Sequence, residues 1–159
     1  MSSKVISMPE ADNPTRAFVA DAVASGRRNV VLDINPALAS LSATLVERRA
    51  NDEIVMRFTA PQSATQGNGV VGGGTLASML DLAMAMSVLS RLKPGLTCAT
   101  ISLTVNMQAA GTQGDFVAVA GVDKVGRQVA FAHARLYDAE GTRLIASATS
   151  SLAVFAERA

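Results

Sequence analysis

The chain contains one cysteine, Cys98, in 159 residues, so no intramolecular disulfide can form and the stapled scaffolds of small secreted domains are excluded. It has no tryptophan, 4% aromatic residues and a single histidine, His133. One Cys and one His cannot make a conventional zinc set, and neither a metal nor a cofactor is expected. Charge is also scarce: 14 basic against 13 acidic groups leave a net +1. Without concentrated basic surface, neither nucleic acid nor an anionic membrane is an expected partner. The pairs Arg27-Arg28 and Arg48-Arg49 read as solvated surface. No Gly-x-Ser-x-Gly elbow and no Gly-Lys-Ser/Thr phosphate loop occur, which argues against an α/β-type hydrolase and a phosphate loop. Met1 to Asn13 carry Lys4, Glu10 and Asp12 and no apolar run of the signal-peptide kind, so a cytoplasmic location is expected.

What is present is apolar: 49% of residues are hydrophobic, enough for one core in a chain of this length. Between Phe58 and Gly114 the only charged residues are Asp81, Arg91 and Lys93. A stretch so poor in charge is a buried core or a membrane span. Gly72-Gly73-Gly74, Thr75, Ser78, Asp81, Ser87 and Ser90 interrupt it too often for a span, which leaves the core.

Pro14 to Ser25 reads as a short amphipathic helix closed by Gly26, and Pro36 opens a second one running to about Ser42. Thr44 to Arg49 and Glu53 to Thr59 read as strands joined by the turn Ala50-Asn51-Asp52. Pro61 to Gly69 is a loop. After the glycine triplet, Thr75 to Arg91 has helical period: Leu76, Met79, Leu80, Ala83 and Ser87 share one face, and Met84, Ala85 and Val88 share that of Asp81. A helix apolar nearly all round is expected to be buried. The period then becomes 2, with Ile101, Leu103, Val105 and Met107 alternating with polar residues from Thr100 to Met107. Three further strands follow by tight turns, Phe116 to Val125, Val129 to Tyr137 and Arg143 to Phe155, with no proline after Pro94. Hairpin, long helix and four strands do not alternate as βαβ units do, so the expected fold class is α+β, an antiparallel sheet wrapped around one helix.

Asp81 is the position that calls for chemistry, because a lone carboxylate in an apolar helix is unfavourable to bury unpaired. Its bland reading is a hydrogen bond to nearby amides or hydroxyls, or a position facing solvent. The glycines before the helix expose amides with no intrahelical acceptor, at the end where the helix dipole is positive; this makes an anion or oxyanion site. Glycine also lets a carbonyl approach the main chain closely.

The run Gly72-Gly73-Gly74-Thr75-Leu76-Ala77-Ser78-Met79-Leu80-Asp81 resembles the helix-entry motif of PaaI-type hotdog acyl-CoA thioesterases, where His-Gly-Gly precedes an apolar helix carrying Asp or Glu. Thr100 to Asn106 resembles that family's next strand. Gly114-Asp115, Gly126-Arg127 and Asp138 to Gly141 match its later turns, so the resemblance spans roughly residues 43 to 155. It implies a hotdog domain over 43–159 behind a helical N-terminal extension over 1–42. It implies hydrolysis of an aryl- or medium-chain acyl-CoA, with the Gly73 amide polarising the thioester carbonyl. It further implies that Asp81 acts as general base on water or as nucleophile. In that family the two groups facing one site come from different protomers, so a homodimer or homotetramer is expected. By the same carry-over Thr100 orients water or substrate, and Gln66 or Asn68 holds the water, Gln66 being closer by spacing. Gly74 belongs to the same loop, and Lys124 and Arg127 are candidate contacts for the nucleotide of CoA, which is part of the substrate and not a cofactor. The chain departs from the family where Gly72 replaces the usual histidine and Ala109-Ala110 replaces Arg-Pro. A non-catalytic acyl-CoA-binding module is the alternative reading, and a hotdog dehydratase ranks below it because His133, read as structural or surface, is the only histidine.

Overall fold

The computed structural model describes residues 11–158. Of the N-terminal stretch on which the expected location rests, residues 1–10 lie outside the described residues. The first helix, α1 (Pro14–Ala24), starts where Asn13 accepts hydrogen bonds from the amides of Thr15 and Arg16, with Pro14 in the first turn. A two-residue strand, β1 (Val30–Val31), follows; it is too short to show any period and does not appear in the sequence reading. Then come α2 (Pro36–Ser40), β2 (Thr44–Arg48), β3 (Ile54–Ala60), a single 3-10 turn and α3 (Gly73–Leu89). The chain ends in β4 (Leu96–Met107), β5 (Gly114–Val125), β6 (Val129–Tyr137) and β7 (Leu144–Ala156).

All seven strands form one antiparallel sheet in the order β1-β2-β3-β5-β6-β7-β4. Its concave face wraps α3, as the sequence pattern and the hotdog resemblance both anticipate. Even-numbered residues of β6, Ala130 to Leu136, point at α3 and are buried, while Phe131 and Arg135 face outward. Leu76, Met79, Leu80, Ala83 and Ser87 are all buried, so the helical face read from the period is the one that packs.

Two expectations need correction. α3 is not buried all round: Gly73, Gly74 and Ser78 are exposed and Ala77, Asp81, Leu82 and Ala85 are half-buried, which leaves one open stripe along the helix. The last four strands are not a run of hairpins either. β4 pairs with β7 at the sheet edge, so residues 108–113 must cross the sheet end to reach β5, which lies between β3 and β6. Alternation reports which face a residue takes and not which strand lies beside it. β4 also begins earlier than expected, at Leu96, after Gly95 turns with φ +83°.

The segment before residue 43 packs into the same core. Val19, Ala22, Leu32, Leu38 and Leu41 join the buried cluster, and β1 pairs with β2. A polar clamp fastens its start: the buried Arg16 guanidinium donates twice to Asp12 at 2.6 Å and to the carbonyl of Leu92 at 3.1 Å, while Asp12 also accepts from the Gly95 amide at 3.1 Å. The Arg16 bonds are the main reason that the Asp12 carboxyl is lowered from 3.8 to about 2. A carboxylate lowered by folding stabilises fully above its unfolded value and loses that contribution as pH falls through its folded value. Asp12→Asn is therefore expected to lower the urea midpoint at pH 7, and the gap from wild type should close only as pH approaches about 2. A gap that stays constant down to that pH would show that the carboxylate charge is not its source.

Candidate active site

Gly72 caps α3 with no side chain; its amide donates to the carbonyl of Ala64 at 2.9 Å. The amides of Thr75 and Leu76 fold back to the Gly72 carbonyl at 3.0 and 3.2 Å. The Gly73 and Gly74 amides find no acceptor among the described residues and stand exposed at the positive end of a helix of 17 residues. A side chain at Gly72 would meet only ordinary contact with Ala64, so the histidine usual in the resembled family is sterically allowed here. In its absence the entry is held by main-chain bonds alone, from Gly72 to Ala64, Val71 to Gly111 and the bridge between Thr65 and Val71.

The crossing that the sequence hid is what builds the surroundings of Gly73. Residues Met107 to Gly111 run beneath the helix entry, where the Gly111 carbonyl accepts from the Val71 amide at 2.8 Å. Only glycine fits at that point, because a Cβ on Gly111 would lie 2.7 Å from the ring of Phe116. The result is a cavity of about 420 Å3 whose walls include Gln66, Val70, Gly73, Leu76, Met107 and Gln108. Gln66 and Gly73 thus line one cavity. Asn68 does not line this cavity; its side chain accepts from the Val70 amide at 3.2 Å and shapes the turn. Gly74 lies in the first turn of α3 and is exposed.

Asp81 stands eight residues further along α3, about 12 Å at 1.5 Å per residue. It is half-buried on the open stripe, and its Oδ1 accepts a hydrogen bond of 2.7 Å from the Thr100 hydroxyl on β4. It opens on a second cavity, of about 310 Å3, lined by Ala37, Ser40, Leu41, Thr75, Ser78 and Leu82. The two cavities share no residue, so one chain does not bring Gly73 and Asp81 to a common point. Close to Asp81 on β4, the Cys98 thiol is pushed up to about 11, first by burial and then by the Asp81 charge. It stays protonated at neutral pH and is no nucleophile there.

Lys124 and Arg127 sit at the β5–β6 turn. Val125 pairs with Ala130, Ala130 with Leu152 and Leu152 with Thr100, so this turn shares a row of the sheet with Thr100, three strands or about 14 Å away. His133 lies on the outer face, with Nδ1 2.8 Å from Asp123 and Nε2 3.2 Å from Glu53, away from both cavities. The sequence reading missed the walls supplied by Gln108 to Gly111 and by α2. No residue type marks them, since they arrive by a strand crossing and by helix packing.

The family model of the Thioesterase superfamily matches residues 68–145, which include Gly73, Asp81 and Thr100. The chain is 28% identical over 116 residues to a Pseudomonas aeruginosa protein named "Putative esterase PA0474", a match covering 72% of this chain and 85% of that one. The E. coli PaaI protein from the phenylacetic acid degradation operon superposes with a TM-score of 0.69 at 18% identity, covering 89% of this chain and 94% of that one. A Streptococcus pneumoniae thioesterase structure with coenzyme A superposes at 0.63 and 21% identity, covering 74% and 91%. Helix entry, carboxylate and strand hydroxyl thus lie inside a match to the Thioesterase superfamily that spans just under half of the chain, and the fold is that of the hotdog thioesterase structures, PaaI among them.

Proposed function

We propose that this protein hydrolyses an aryl- or medium-chain acyl-CoA, with the two halves of each active site drawn from two copies of the chain. The observation that carries this reading is the Asp81 carboxylate, oriented by Thr100 at an open cavity, on the same helix that presents an acceptor-free Gly73 amide at another. The coenzyme A in the Streptococcus pneumoniae neighbour supports the choice of thioester.

The chemistry follows from the parts. The Gly73 amide binds the thioester carbonyl oxygen and stabilises the charge that develops on it, a contribution of about 3 kcal/mol for one preorganised donor. Asp81, fixed by the Thr100 hydroxyl, removes a proton from water held against the Gln66 side. The new hydroxide oxygen bonds to the carbonyl carbon. Collapse of the tetrahedral adduct breaks the carbon–sulfur bond, and the departing thiolate takes the proton from Asp81, leaving acid and free thiol.

A second copy is favoured by what one copy leaves open. Among the described residues the β4 edge has no partner beyond β7, and Ile101 and Met107 on that strand are 59% and 47% exposed. The open stripe of α3 lies along the same side as Thr100. An assembly through this side would set Asp81 of one protomer toward Gly73 of its partner.

The test is thiol release from a panel of acyl-CoA thioesters, run beside the oligomeric state by light scattering. Turnover of at least one aryl or medium-chain member by an oligomer is the expected result. Tight acyl-CoA binding with no thiol released would instead identify a non-catalytic binding module.

A further inference from the structure

The Asp81 cavity has one wall from outside the region matched by the superfamily: Ala37, Ser40 and Leu41 belong to α2 and its last turn, before residue 68. This wall is firmly placed. Asn35 caps α2 by accepting from the Leu38 amide at 3.0 Å, and its amide group donates to the Thr15 hydroxyl of α1 at 3.2 Å. Leu38 and Leu41 are buried, and the Leu41 carbonyl accepts from the Thr59 amide of β3 at 2.8 Å. Ala37 and Ser40 are exposed on the side that faces the cavity.

The polar groups of this cavity are mostly turned to their own helices. The Ser40 hydroxyl donates to the Ala37 carbonyl at 2.8 Å and that of Ser78 to the Gly74 carbonyl at 3.0 Å. What remains toward the space is the bulk of Ala37, Leu41 and Leu82, beside the carboxylate and Thr75. The Gly73 cavity adds two side-chain amides, Gln66 and Gln108, to apolar walls from Val70, Leu76 and Met107, which gives an amide-bearing pantetheine arm partners there. We infer that the acyl group of the substrate lies between α2 and α3, and that Ala37 and Ser40, by being small, set the largest acyl group admitted. The inference rests on the acyl-CoA hydrolase reading and adds to it that the N-terminal segment determines specificity.

Ala37→Leu and Ser40→Leu place an isobutyl group in the cavity at exposed helical positions, where leucine is a good helix former and no core contact is lost. Each variant is compared with wild type for kcat/KM on acetyl-CoA and octanoyl-CoA, with the thermal midpoint as the folding control. The expected result is a fall of about tenfold or more in the octanoyl-to-acetyl ratio in both variants. An equal loss on both substrates would place the CoA arm or the thioester itself in this cavity, and an unchanged ratio would put the cavity off the substrate path; either overturns the inference while leaving the hydrolase reading intact. A wild type inactive on the whole panel would remove both.

Discussion

Asp81→Asn is expected to lower kcat for thiol release by about 10³-fold, with KM and thermal stability close to wild type. Asparagine has the shape of aspartate, and its carbonyl can keep the bond from the Thr100 hydroxyl, which in the native protein spans 2.7 Å. What it loses is the ability to take a proton from water or to attack the carbonyl. The half-buried setting means that no sealed apolar pocket collapses around the change. A variant that retains wild-type kcat would remove Asp81 from the mechanism. A variant that fails to fold would show the carboxylate to be structural, the bland reading of the residue.

Gly73→Pro is expected to reduce kcat/KM by about 10² to 10³, the usual consequence of losing one oxyanion donor. The substitution is unusually clean here. Gly73 is the first residue of α3, where proline fits because the amide has no intrahelical acceptor. Gly72 already has φ −60° and ψ 143°, the extended conformation that a residue before proline prefers. A Cβ at position 73 would meet only the Met107 methyl, at 3.5 Å. The helix should therefore form while the donor disappears. Gly73→Ala, which keeps the amide, separates the two effects: if alanine costs as much as proline, the loss comes from crowding and the oxyanion assignment fails.

Much of the site was legible before any coordinates, because its elements speak locally. A lone carboxylate among Leu80, Leu82, Ala83 and Met84 stands out by composition, and three glycines before an apolar period announce both a helix start and unsatisfied amides. Burial of Leu76, Met79, Leu80, Ala83 and Ser87 follows from the 3.6-residue period. The helix start at Pro14, the turn at Asn51-Asp52 and the stop at Gly95 are likewise decided within a few residues of themselves.

By itself, then, the amino-acid order determined which face of α3 packs against the sheet and which single carboxylate that helix carries. Tertiary structure alone decided that β4 lies at the edge beside β7, that the Gln108 to Gly111 crossing passes under Gly73, and that α2 walls the Asp81 cavity. The physical reason is one of range. Side-chain period and backbone capping act over a turn or two of chain, whereas strand order and cavity walls depend on loop closures and packing between segments tens of residues apart, where many arrangements satisfy the same local pattern.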